Sequence, residues 1–307
     1  MPDSIAYPVK TREIKNAIAD STRWNYVTFR DDDIVVATYA KTGTTWTQQI
    51  VGQLVHQGAD GALLEASPWV DFRPIPLEII LEGIAAQTHR RFLKTHLPID
   101  ALVFSPKAKY LYVVRDGRDV AWSMHNHHLG FTEQVYPMFN HVFGREGDPL
   151  VPPTPDVLQY FREWLDGGGL PVGVSFWQHV QGWYDLRHLP NVLLVHFNNL
   201  KTDLAGEMRR IAAFLDIPID ESKMPAMLEH CSLDYMRRTA SEHSPILDMV
   251  FQQGGATFFH KGTNGRWKDV LTAADLEKYD RLVRENLTPD CARWMATGEL
   301  PVQRRAV

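Results

Sequence analysis

"DIVVATYAKTGTTWTQQIV", Asp33 to Val51, decides how the rest of the chain is read. Its first half, "DIVVATY", is a short β-branched apolar run of the kind that forms a strand buried on both faces. Its second half places Trp46, Ile50 and Val51 at helical spacing, continued by Leu54 and Val55, so a helix follows. Between the two lies "AKTGTT". There the backbone N–H groups of Gly43, Thr44 and Thr45 open the helix, where its dipole and unpaired donors favour an anion. Gly43 allows close approach of the backbone, the threonine hydroxyls add donors, and Lys41 adds a point charge. The lysine precedes the glycine, the reverse of the G-x-x-x-x-G-K-[ST] loop. A plain Thr-Gly turn capping a helix would use the same residues, so this loop alone does not settle its purpose.

Working outward, the strand signal recurs. "RRFLKTH" (Arg90–His96), "KYLYVVRD" (Lys109–Asp116) and "NVLLVHF" (Asn191–Phe197) are three further apolar runs. "RDVAWSMHNHH" reads as a helix after the third strand. Leu204, Met208, Ile211, Ala212 and Leu215 form a helical face after the fourth, with Thr202 expected as its N-cap. Strand–helix alternation predicts an α/β fold in which a central parallel sheet is flanked by helices on both faces. The Pro- and Gly-rich stretch Gly144–Asp156 reads as a surface excursion rather than a boundary, so residues 1–307 are expected to form one domain.

In such sheets ligands bind at the carboxyl ends of the strands. Lys41 to Thr45 lie at the end of the first strand, His96 at the end of the second and Arg115 at the end of the third. Arg115, with Ser123 eight residues on, offers a guanidinium fork and a hydroxyl for a second phosphate, although pairing with Asp116 or Asp119 is the commoner use of such an arginine. Lys94 and His96 point the same way along an extended strand, and a histidine there can serve as a general base. His125, His127 and His128 lack the carboxylate partners and spacing of a zinc motif, so no metal is expected. "FFHKGTNGRWKDVLT" (Phe258–Thr272) is a glycine-punctuated basic loop in which Lys261, Gly262 and Gly265 could close over a phosphate.

Composition narrows the classes. The chain of 307 residues is 44% hydrophobic and 22% charged, which suits a globular enzyme rather than a disordered segment. Lys+Arg is 32 against Asp+Glu 37, a net charge of −5, so bulk charge points to neither nucleic acid nor an anionic membrane, and any anion site must be local. Cys231 and Cys291 stand far apart, and no apolar run of about 18 residues is present. With no signal-peptide layout at the start, these features predict a cytoplasmic protein.

Taken together, the segments resemble the cytosolic sulfotransferase family, which transfers a sulfuryl group from 3′-phosphoadenosine 5′-phosphosulfate (PAPS). "YAKTGTTW" is similar to the family's "YPKSGTTW", "KTHLP" matches outright, "YVVRDGRDVAWS" resembles "YVARNPKDVAVS", and "HKGTNGRWKD" resembles "RKGxxGDWKN". The likeness runs in family order from about Asp31 to Tyr279. It implies a P-loop-like nucleotide-binding architecture without a metal. It implies a 5′-phosphosulfate held by Lys41, Thr42, Gly43, Thr44 and Thr45, and a 3′-phosphate held by Arg115, Ser123 and the loop at His260, Lys261 and Gly262. Adenine would lie among Trp46, Phe197, Ser232, Leu233 and Met236. His96 would be the base, Lys41 would neutralise the bridging oxygen, Lys94 would add positive charge, and Ser123 would restrain Lys41 until the acceptor binds. His260 departs from the family's arginine, which replaces a permanent charge by a titratable one.

Other classes fit less well. A P-loop kinase would need the G-x-x-x-x-G-K-[ST] loop and Mg²⁺, and a non-catalytic nucleotide-binding protein would need neither Lys41 nor His96. For the acceptor, Trp69, Phe72 and the helix from Met124 through His128 are expected to line an apolar pocket beside His96, which favours a small apolar phenol or alcohol. "KDVLTAADLE" is similar to the family's K-x-x-x-T-V-x-x-x-E pairing segment, so a weak homodimer through Lys268 and Glu277 is expected, unless Thr272 merely caps a helix.

Overall fold

The strand that opens the sequence becomes the middle of the sheet. The computed structural model describes residues 5–60, 66–142, 146–167 and 174–301. Strand β1 (Ile34–Thr38) is buried at all five positions, and its neighbours are β2 (Phe92–Thr95) on one side and β3 (Lys109–Val114) on the other. The fourth strand, β4 (Val192–His196), pairs with β3, and all pairings are parallel in the order β2-β1-β3-β4. The strands run within the stretches expected of them, each trimmed by one or two residues where the backbone leaves the ladder.

Two apolar layers cover the sheet, and the alternation along β1 assigns its side chains to them. Ile34 and Val36 face a layer that includes Ile50, Val51 and Leu54 of helix α1 (Thr44–Val55) together with Met208, Ile211 and Leu215 of the helix Leu204–Leu215. Val35 and Ala37 face the opposite layer, built from Val120 and Trp122 and from the helices that carry Trp164, Trp183, Tyr279 and Trp294. Each fully buried aliphatic side chain contributes about 1.5–3 kcal/mol. A parallel strand covered on both sides favours apolar residues throughout, which is why "IVVA" shows no alternation and Thr38 follows only at the strand's end, where its hydroxyl is hydrogen-bonded. The α/β architecture read from the sequence is the one observed, a single α/β domain.

One cap differs from expectation. Thr202 ends a short helix, Phe197–Thr202, and Asp203 instead caps the next one by accepting from the Gly206 N–H at 2.8 Å. The carboxylate reaches an N3 donor from outside the helix, whereas Thr202 donates its hydroxyl to Asn198 O. Of the stretch Gly144–Asp156, residues 144 and 145 lie outside the described residues. The remainder runs largely exposed into the helix Val157–Asp166 of the same domain.

Candidate active site

Parallel pairing brings four strand ends to one edge. Thr38 lies opposite Val113, Ala37 opposite Thr95 and Val114 opposite His196, so the residues that follow them, Lys41 to Thr45, His96, Arg115 and Phe197, come together.

The loop after β1 is held by its own chemistry. Lys41 and Gly43 both take positive φ, 69° and 117°. A Cβ on Gly43 would come within 2.9 Å of the Phe197 ring, so glycine is required there both by conformation and by space. The Thr42 hydroxyl bridges the carbonyl oxygens of Tyr39 (2.8 Å) and Val113 (2.9 Å), tying the loop to β3. That hydroxyl is therefore committed to the fold, and Thr42 can serve an anion through its backbone N–H. Helix α1 starts at Gly43 with no side-chain cap, which leaves its first donors open to a ligand.

His96 is fixed by β1. Its Nδ1 lies 2.9 Å from the Thr38 carbonyl oxygen and 3.0 Å from Thr38 Oγ1, which in turn lies 2.6 Å from Thr44 Oγ1. A carbonyl can only accept, so Nδ1 carries the proton and Nε2 keeps its lone pair. Burial, and then the nearby Lys94 charge, hold this imidazole well below its ordinary range, so it is neutral. Trp69 meets His96 edge-on with ring centres 4.8 Å apart, and Phe72 stacks on Trp69 at 4.4 Å. Two aromatic rings thus stand beside His96. Met124 is not with them, because its side chain turns into the core. His128, one turn further along helix α3 (Gly117–Leu129), lines a separate groove of about 440 Å³ together with Leu129, Phe131, Glu133, Tyr136, Pro152, Pro153 and Gln252.

Three cations sit at this edge without a carboxylate partner among the described residues. Lys94 lies over the Trp69 ring at 4.1 Å, and burial lowers it to about 8. Lys41 is lowered to about 7, first by burial and then by repulsion from Arg115 and Lys94. Arg115 stacks on Phe197 at 4.4 Å and donates to Asn264 Oδ1 (2.6 and 2.9 Å) and to Thr263 O (2.9 Å). Asp116 binds Arg118 instead, at 2.6 Å, and Asp119 accepts the Gly265 N–H at 2.7 Å, so neither neighbouring carboxylate neutralises Arg115 by direct contact. Cations that are half-buried, or buried in the case of Arg115, and left in this way form a cradle that an anion would fill.

The remaining candidates converge in part. Trp46 donates its indole N–H to Cys231 O at 2.8 Å and meets Phe197 edge-on at 5.5 Å, which brings the segment starting at Ser232 alongside α1. The Ser232 hydroxyl is occupied in capping the helix Leu233–Arg238, and Met236 packs into the small apolar cluster beside Trp46. Leu233 lies against Gly262, whose carbonyl accepts from Lys201 at 2.8 Å. His260 and Lys261 are exposed, and the His260 carbonyl accepts from Arg237. The Ser123 hydroxyl has no hydrogen-bond partner among the described residues. Lys41 is joined to His127, with Nζ 3.1 Å from Nδ1.

Two residues escaped the reading of the sequence. Asp71, fully buried, accepts from the indoles of Trp24 (3.0 Å) and Trp69 (2.8 Å) and, more distantly, from the His96 N–H (3.4 Å), so it anchors the wall beside His96. Asn264 holds Arg115 and donates to Asn198. Asp71 meets Trp24 and His96 only through the fold, and Asn264, although it stands inside the basic loop motif, has its partners Arg115 and Asn198 many tens of residues away. Among the described residues no cluster of His, Cys, Asp and Glu is arranged to hold a metal. Of the three histidines on α3, His125 bonds Thr154 O at 2.8 Å, while His127 and His128 take the positions given above.

Residues 31–290 match the family described as "Sulfotransferase domain". Over 315 residues the chain is 32% identical to "Glycolipid sulfotransferase" of Mycobacterium tuberculosis (strain ATCC 25177 / H37Ra), which spans 95% of this chain and 96% of that protein. It is 29% identical to "Sulfotransferase 2A1" of Macaca fascicularis across 84% of this chain and 85% of that one. The fold is similar to that of mouse sulfotransferase SULT7A1 complexed with PAP, with a TM-score of 0.70 at 23% identity over 90% of this chain and 92% of that one. The domain match and the near full-length relationship agree with the geometry of the site: the chain belongs to the sulfotransferase family and is a sulfotransferase enzyme.

Proposed function

We propose that this sulfotransferase takes its sulfuryl group from PAPS and passes it to a hydroxyl of a small, largely apolar acceptor, a phenol or an alcohol. The observation that carries this reading is the trio of half-buried Lys41 and Lys94 and buried Arg115, with no salt-bridged carboxylate among the described residues, around a neutral His96 whose Nε2 is the basic nitrogen. The donor supplies a sulfuryl group on a phosphate leaving group. The uncapped start of α1, from Gly43 to Thr45, and Lys41 would bind its 5′ end, and Arg115 with Ser123 and the loop at Lys261 and Gly262 its 3′-phosphate. PAP bound in solved proteins of similar fold supports PAPS as the donor. His96 Nε2 would take the acceptor's proton, with Thr38 fixing the ring, and Lys41 and Lys94 would supply fixed positive charge where negative charge develops. A sulfuryl group carries less charge than a terminal phosphoryl, so these residues suffice without a metal.

The aromatic wall of Trp69 and Phe72 favours an apolar body next to the accepting hydroxyl. The relatives named for glycolipid and steroid substrates support an apolar or amphipathic alcohol at least as well as a phenol. Lys268, Thr272, Ala273 and Glu277 are all exposed, as pairing into a homodimer requires. The free, buried Cys231 and Cys291 suit a cytoplasmic protein, and no helix among the described residues is long and apolar enough to cross a membrane. The deciding experiment is turnover with PAPS over a panel of phenols, sterols and glycolipids, with and without Mg²⁺. Transfer to an apolar hydroxyl without Mg²⁺ is expected. No sulfated product from any acceptor, or turnover only with a nucleoside triphosphate and Mg²⁺, would overturn the reading.

A further inference from the structure

One edge of the Arg115 guanidinium is already taken. Its Nε and Nη2 both donate to Asn264 Oδ1, at 2.9 and 2.6 Å, and Nη2 donates again to Thr263 O at 2.9 Å. One face of the group lies against the Phe197 ring, with Cζ 4.4 Å from the ring centre. What remains is Nη1, whose N–H donors have no hydrogen-bond partner among the described residues.

The partner on the taken edge carries no charge. A guanidinium edge that offers two donors side by side is the usual seat of a carboxylate. Asp119 and Asp116 stand near enough to act on Arg115 through space, yet each is turned elsewhere. Asp119 accepts the Gly265 N–H at 2.7 Å, and Asp116 holds Arg118 at 2.6 Å.

The fold also fixes which end of the Asn264 amide faces Arg115. Its Nδ2 donates to Asn198 Oδ1, and the Asn198 N–H in turn donates to His196 Nδ1 at 3.1 Å, at the end of β4. A flipped amide would set Nδ2 against the guanidinium and one amide oxygen against another. Consecutive residues Thr263, Asn264 and Gly265 thus dock the basic loop onto Arg115 and Asp119, and none of them neutralises Arg115.

We propose that Asn264 is a positioning residue for the donor's 3′-phosphate: its amide oxygen holds the Nε–Nη2 edge of Arg115 and so aims Nη1 at the phosphate, while the guanidinium keeps its full charge. The proposal rests on the reading of the site as a PAPS site. An aspartate of the same shape would hold that edge at least as firmly, but as an ion pair, and the phosphate would then meet a neutralised partner. An alanine would keep the charge and lose the aim. The two substitutions therefore differ in the size of one effect, and both act only on a ligand that carries the 3′-phosphate.

The test is calorimetry of PAP and of adenosine 5′-phosphate, which lacks the 3′-phosphate, with wild-type protein, Asn264→Asp and Asn264→Ala. Asn264 is half-buried, so both variants are expected to fold, which circular dichroism checks. Asn264→Ala is expected to weaken PAP about three- to tenfold, the worth of one net hydrogen bond, and Asn264→Asp about ten- to a hundredfold, the range for a bond to a charged group. Affinity for adenosine 5′-phosphate is expected to stay unchanged in both. PAP binding that is unchanged or tighter in either variant overturns the proposal. So does an equal loss for the two nucleotides, which marks a displaced loop rather than a lost aim. NMR of the arginine side chains in the wild-type protein needs no variant. The Arg115 Nη1 resonance is expected to shift when PAP binds, with Nε–H still protected from exchange. Loss of that protection would mean that the phosphate displaces Asn264, and it overturns the proposal equally. Wild-type protein that binds PAP no better than adenosine 5′-phosphate would instead overturn the 3′-phosphate assignment, and protein that binds neither would overturn the donor.

Discussion

The carbonyl oxygen of Thr38 lies 2.9 Å from His96 Nδ1, so strand β1 decides which nitrogen of an imidazole on the neighbouring strand is the base. Removing the ring removes that nitrogen. His96→Ala is expected to lower turnover by about 10²–10⁴-fold while leaving PAP binding unchanged. His96→Asn, which can keep a donor to Thr38, is expected to be just as inactive. Steady-state rates combined with calorimetry check both, and a variant that keeps wild-type turnover would place the base elsewhere.

Arg115 is salt-bridged to no carboxylate among the described residues, with Asp116 and Asp119 near it but bonded elsewhere, so its value lies in the ligand. Arg115→Ala is expected to weaken PAP binding by roughly 2–4 kcal/mol, because a phosphate would be left facing a buried, unneutralised site. Arg115→Lys should recover only part of this, since an ammonium cannot reproduce the forked geometry. Calorimetry that shows equal affinity in Arg115→Ala would remove Arg115 from the site.

Lys41 is held near 7 by burial and by the neighbouring cations. An anion beside it favours the ammonium and raises that value. Binding of PAP above about pH 7 should therefore take up a proton, and affinity should fall as pH rises through the neutral range. Calorimetry in two buffers of different ionisation enthalpy measures the uptake directly. Equal apparent heats in both buffers would separate Lys41 from the bound anion.

The segment proposed for pairing also caps a helix. Thr272 and Asp275 form a reciprocal capping box at the start of the helix Ala273–Asn286, and Asp275 also receives Arg162 at 2.7 Å. Thr272→Ala is expected to cost about 1 kcal/mol of stability, read by urea denaturation. A cost near zero would mean that the box is not formed in solution.

Lys268→Glu should leave that box intact and abolish the homodimer, because each chain would then set two acidic residues against each other at Lys268 and Glu277. Light scattering at high micromolar concentration checks this. An unchanged dimer would place the pairing surface elsewhere.

Most of the fold was legible because parallel strands covered on both faces leave unbroken apolar runs, and "DIVVATY", "KYLYVV" and "NVLLVH" are such runs. The loop residues were legible because a glycine, two threonines and a lysine lie between an apolar strand and the start of a helix, where unpaired donors favour an anion. Thr202 misled because two helices abut there, and the choice between neighbouring caps depends on the direction of the second. Asp71 and Asn264 were invisible because the fold supplies partners far away in sequence: the Trp24 indole in one case, a guanidinium in the other. The contact of Lys41 with His127 was not legible from sequence either, since Ser123 and His127 lie one turn apart on the same helix.

Phe197 touches both halves of the anion cradle at once. One part of its ring closes the space above Gly43, and Arg115 lies across it at 4.4 Å. The interval between the glycine loop and the guanidinium is thus gauged by a single benzene ring rooted at the end of β4. A bulkier or smaller side chain at 197 would not retune one anion site and spare the other. It would change the ruler against which the two ends of the donor are measured.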